Sequence, residues 1–152
     1  MKPIKDQLEE KLPWLFSELG FRTVSDSYDP EHFGNSLAVL ESDAFRLRFV
    51  RDRGLVDLQV AALSQPDDWW DFKFTCEAVF GERPEPLLEG YGPLIRRNLA
   101  GLAEALGPKL AETKKVIERQ TAERKKKIED YYSQRQPSET AIGHLLSKPA
   151  NC

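Results

Sequence analysis

The chain has 152 residues and a formal net charge of −3, with 40% hydrophobic and 31% charged residues. That is one domain of ordinary size or one domain with an appendage, too apolar for a disordered chain and too polar for a membrane protein. No apolar run approaches the roughly 18–20 residues that span a bilayer, and the acidic N-terminus MKPIKDQLEEKL lacks the apolar centre of a signal peptide.

Two cysteines, Cys76 and Cys152, lie far apart in the chain. Free thiols in a reducing cytoplasm are the simpler reading. The charge is uneven: residues 1–108 hold 12 Lys and Arg against 19 Asp and Glu, and residues 109–135 hold 9 against 5. The sequence therefore predicts an acidic body and a basic arm. An acidic body repels phosphates and attracts a basic partner.

Pro3 opens a helical pattern carried by Leu8, Leu12, Leu15 and Leu19, with Gly20 as its stop. Pro13 either kinks this helix or splits it in two. The period then changes to two. Phe21–Tyr28 is a strand candidate, Pro30–Asn35 a loop and Ser36–Ser42 a second strand. Phe45–Asp52 alternates apolar and charged residues most clearly, and Arg53-Gly54 is a two-residue hairpin loop leading into Leu55–Leu63. This hairpin places Phe45, Leu47 and Phe49 on one face with Val56, Leu58 and Val60, and Arg46, Arg48, Asp57 and Gln59 on the other. Arg48 is then diagonal to Asp57 and expected to pair with it.

Asp67 or Asp68 is expected to cap a short helix over Trp69–Phe80 that closes at Gly81. Glu82–Tyr91 reads as irregular, and Gly92-Pro93 starts a helix through Leu106. Lys109–Arg135 is a long charged helix with a weak heptad, ended by Pro137, and residues 138–152 read as a flexible tail in which Ile142, Leu145 and Leu146 can dock as one turn. The fold class is α+β: a four-stranded antiparallel meander, helices packed mainly on one face, and a long basic C-terminal helix. The expected division is a globular body over 1–108, a charged helix over 109–136 and a tail over 137–152.

Chemistry is sparse. The two histidines, His32 and His144, neighbour no cysteine, and the nine glycines form no P-loop or dinucleotide pattern. No metal ligand set, cofactor or catalytic constellation is expected. Binding offers more. Asp67, Asp68 and Asp71 surround Trp69-Trp70, whose rings point roughly 100° apart on a helix, so that an exposed Trp70 beside the acids would anchor a partner. Arg51 and Arg53 flank the hairpin turn, where loops on rigid sheets commonly carry recognition. Arg124, Lys125, Lys126 and Lys127 form the strongest basic run.

A helix ending in Leu19-Gly20-Phe21, then Phe33-Gly34-Asn35, then Phe49-Val50-Arg51-Asp52-Arg53-Gly54, then Asp68-Trp69-Trp70, resembles small uncharacterised bacterial α+β proteins. Some of these look like immunity proteins of contact-dependent or polymorphic toxin systems. The resemblance covers roughly residues 8–105 and implies a compact acidic binder that blocks a toxin. The leading expectation is a non-catalytic cytoplasmic protein-binding protein with a basic protein partner and no membrane, and with a homo-oligomer contact available through the C-terminal helix. Its alternatives are a nucleic-acid-associated protein using that helix and a small-molecule enzyme with a base such as His32.

Overall fold

The structure is a computed structural model that describes residues 2–151, with side chains for residues 2–134. Five antiparallel strands in sequence order form its sheet. They are β1 (Arg22–Asp29), β2 (Asn35–Glu41), β3 (Phe45–Asp52), β4 (Leu55–Ala62) and β5 (Trp70–Asp71). The sheet has five strands where the sequence predicts four. The added strand is two residues long, with Trp70 opposite Val60 and Asp71 opposite Gln59.

That short strand moves the following helix. Helix α3 spans Phe72–Phe80 rather than beginning at Trp69, and its cap is Asp71, not Asp67 or Asp68. Asp71 Oδ1 accepts from the Phe74 amide at 3.1 Å, and Thr75 Oγ1 donates to the Asp71 carbonyl at 2.8 Å. Because Trp70 and Asp71 pair with β4, the first free amides lie beyond Asp71, out of reach of the earlier acids. Asp71→Ala is expected to cost about 1 kcal/mol, against almost nothing for Asp67→Ala. Thermal melts of the two variants check this.

At the N-terminus Pro13 splits the helix, giving α1 (Ile4–Lys11) and α2 (Trp14–Ser17). The helix expected to start at Gly92-Pro93 is instead two, α4 (Leu88–Arg97) and α5 (Leu99–Ala105), meeting at Asn98. The early start buries Leu88 and Tyr91. Their burial outweighs the one hydrogen bond that Pro93 removes inside the helix.

Alternation along β3 and β4 sets the two faces of the sheet. Phe45, Leu47 and Phe49 face Ala62, Val60 and Leu58, and all six are buried in one cluster with Ile4, Leu8 and Leu15 from the N-terminal helices and Ile95 and Leu102 from α4 and α5. Cys76 on α3 is in this cluster; burial first, then Glu82 and Asp71, push its thiol up to about 12. It is therefore a small core residue and a poor nucleophile at neutral pH.

Helix α6 is continuous from Leu110 to Asn151 and so passes Pro137, where the sequence predicts its end. A proline inside a helix costs about 3 kcal/mol, and here the turns before and after it are helical. The chain divides into two compact units, Met1–Val116 and Ile117–Cys152, so the division falls within α6. The expected docking of Ile142, Leu145 and Leu146 lies outside the described side chains. Among the described residues no helix is long and apolar enough to cross a membrane.

Candidate functional site

The face of the sheet away from the core shows two contrasting ends. Strand register places Glu41, Arg46 and Ala61 in one row and Val39, Arg48, Gln59 and Asp71 in the next. These two rows are covered by the chain itself. Trp69 lies over both arginines, 5.4 Å from Arg46 and 4.5 Å from Arg48. Arg46 donates to the Pro66 carbonyl at 2.7 Å and pairs with Glu41 at 3.2 Å. Arg48 donates to Gln59 Oε1 at 2.5 Å, so its cross-strand partner is Gln59 and not Asp57. Burial lowers the Arg48 pKa from its ordinary value. Each guanidinium–indole contact is worth about 0.5–2 kcal/mol, and Val39 and Ala61, which share these two rows, are buried outside the core cluster.

The acids expected to form a partner site are held at this covered end. Asp68 pairs with Lys114 at 2.7 Å, and Asp67 lies 4.0 Å from Arg46 with its side chain 98% exposed. Asp71 caps α3. Trp70 is half-buried and packs on the core, with the Lys114 ammonium 5.6 Å from its ring. The sequence leaves open one exposed tryptophan beside the acids or two buried ones; the structure half-buries both indoles beside carboxylates that each have a partner.

Arg51 is also spent internally. It is 3% exposed, and its Nε and Nη2 donate to the Gly34 carbonyl at 3.1 and 2.8 Å while Nη2 reaches the Lys2 carbonyl at 2.5 Å. Its position two residues beyond Phe49 puts it on the core face by simple alternation. It ties the N-terminus and the β1–β2 loop to the central strand, so its guanidinium is not a surface contact. Lys125, Lys126 and Lys127 are exposed on α6, and Arg124 donates to Thr121 Oγ1 at 3.2 Å.

The other end of the sheet is open. Asp52, Arg53, Gly54 and Leu55 form the expected two-residue hairpin, with φ of 52° at Arg53 and 83° at Gly54. Beside it the β1–β2 loop carries Phe33 at φ 60°. Among the described residues these are the two non-glycine positions with positive φ. They meet: the Arg53 guanidinium lies 5.8 Å from the Phe33 ring, and the Arg53 amide donates to Asn35 Oδ1 at 2.9 Å. Phe33 is nonetheless 70% exposed and Leu55 78%. Around them Asp29, Glu31, Asp52 and Asp57 are exposed. His32 Nδ1–H meets Asp29 Oδ2 at 2.7 Å, and Asp52 lies 4.0 Å from Arg53 Nε. The four acids outnumber the Arg53 guanidinium at this tip.

A depression of about 490 Å³ opens on the outer face behind the tip, and its lining includes Ser27, Asp29, Asn35, Leu37, Val50 and Asp52. Register explains the set: Ser27, Leu37 and Val50 share one row, and Asp29, Asn35 and Asp52 extend the next. The sequence reading found Arg53 through its turn but missed Phe33, because an isolated phenylalanine in a loop gives no periodic sign of exposure. Among the described residues no group of three or more His, Cys, Asp or Glu is placed to hold a metal ion.

No family model, curated protein or solved structure matches the chain.

Proposed function

We propose that this chain is a non-catalytic cytoplasmic protein-binding protein of immunity type, which blocks a basic toxin through the open end of its sheet. The observation that carries this reading is the juxtaposition of Phe33 and Arg53. Both are bulky residues at positive φ, each costing about 1 kcal/mol or more; the two-residue hairpin demands it at Arg53, while at Phe33 burial does not repay it. Strain held at an exposed pair is typical of a surface kept for contact. Leu55 adds a second exposed apolar anchor. The surrounding acids select a partner of opposite charge, speed its encounter and disfavour anionic competitors such as nucleic acid.

The test is capture from the native host with the full chain, wild type against Phe33→Asn/Arg53→Asn. Asparagine adopts positive φ cheaply. The double variant is therefore expected to melt higher, by about 1–2 kcal/mol of stability, while losing a captured basic protein. A variant that is more stable yet does not bind excludes misfolding as the cause. Capture that is unchanged in the variant, or a wild-type chain that enriches no basic protein, would sink the reading.

A further inference from the structure

We infer that the depression behind the tip is a subsite for one long cationic side chain, lysine or arginine, presented by the partner. The inference rests on the binding role of this face and names the chemistry that one part of it recognises.

The lining has two kinds of surface in a fixed order. Leu37 on β2 and Val50 on β3 are directly paired neighbours, both half-buried, and form an apolar floor. One row further along the strands, Asp29 and Asp52 stand on either side of Asn35. Same-face rows are separated by roughly 7 Å along a strand, and neighbouring strands by about 4.8 Å. An aliphatic stem lying on Leu37 and Val50 therefore brings its charged end between the two carboxylates. Lysine and arginine bury such stems on apolar surface while the head stays in a polar setting.

The local charges favour a cation over other occupants. Among the described residues Asp52 pairs with Arg53 at 4.0 Å, and that guanidinium is stacked toward Phe33. Asp29 uses one oxygen on His32, which leaves the other available. Arg51 also lines the depression, but its Nε and Nη2 are spent on the Gly34 and Lys2 carbonyls on the core side, and two carboxylates stand against this one guanidinium. Ser27 on β1 completes the wall with a hydroxyl. A neutral aliphatic chain would gain nothing from the carboxylates, and an anion would be repelled by both.

Methyl NMR of the full chain tests this without the partner in hand. The probes are Nα-acetyl-lysine methylamide, Nα-acetyl-arginine methylamide and, as the neutral control, Nα-acetyl-norleucine methylamide. The cationic probes are expected to give saturable shifts at the Leu37 and Val50 methyls, with dissociation constants on the order of 1–10 mM. Binding should be roughly tenfold weaker in Asp29→Asn/Asp52→Asn, and norleucine should not saturate. No saturable shift with either cation, or an unchanged titration in the double variant, overturns the subsite. If capture still depends on Phe33 and Arg53, that failure leaves the binding role of the tip standing. Saturable cation binding, with capture indifferent to Phe33 and Arg53, would keep the subsite and remove the protein-binding role.

Discussion

Arg51→Ala should cost the fold about 3 kcal/mol, a loss set by hydrogen bonding and not by surface charge. The Arg51 side chain makes three charge-assisted bonds to two backbone carbonyls, at Gly34 and Lys2. Bonds to a charged donor contribute about 1.5–3 kcal/mol each, and an orphaned buried acceptor costs about 1–3 kcal/mol. Gly34 is buried, so its carbonyl cannot turn freely to water when the guanidinium is removed. The sum is moderated by Nη1, which is buried without a partner among the described residues and already carries a desolvation cost. The effect should appear as a lower urea midpoint with an unchanged slope. Arg51→Lys should recover only part of the loss, because one ammonium cannot span two carbonyls as a planar fork does. A shift below about 1 kcal/mol for Arg51→Ala would mean that the N-terminus and the β1–β2 loop are held by something else.

The same residue shows what the sequence discloses and what it hides. Alternation through Phe45, Leu47 and Phe49 assigns Arg51 to the core face, and the register confirms that assignment. Its charge and its place before the turn suggest a surface contact, and period wins over residue type because the strand is continuous to Asp52. Strands β3 and β4 and their hairpin are legible because eight residues each carry a period of two and Gly54 supplies a positive φ. Strand β5 is not, because two residues have no period; only the pairing of Trp70 with Val60 creates it. The helix cap follows from that pairing, so the sequence points to Asp67 or Asp68 while the cap is Asp71. Trp69 is the counterpart of Phe33. Both read from sequence as apolar side chains of unknown face, and tertiary contact decides: one lies over Arg46 and Arg48, the other stands open at the tip.

Phe49→Ala is expected to be the most damaging single truncation, at about 4 kcal/mol. Phe49 sits on the middle strand of five, opposite Ala38 on β2 and Leu58 on β4, with no exposed surface. Phenylalanine-to-alanine changes in cores cost about 3–5 kcal/mol, depending on how far the cavity can collapse. Here collapse is limited. The backbone is fixed by hydrogen-bonded neighbours on both sides, and Ala38 has no side-chain length with which to fill the space. Phe33→Ala removes the same atoms from a site 70% exposed and should change stability by less than about 0.5 kcal/mol. Urea unfolding of both variants measures the contrast directly. If Phe49→Ala costs under about 2 kcal/mol, the core is looser than its burial implies. If Phe33→Ala costs comparably to Phe49→Ala, then Phe33 belongs to the folded scaffold, and the exposed pair it makes with Arg53 is not a surface held in reserve for a partner.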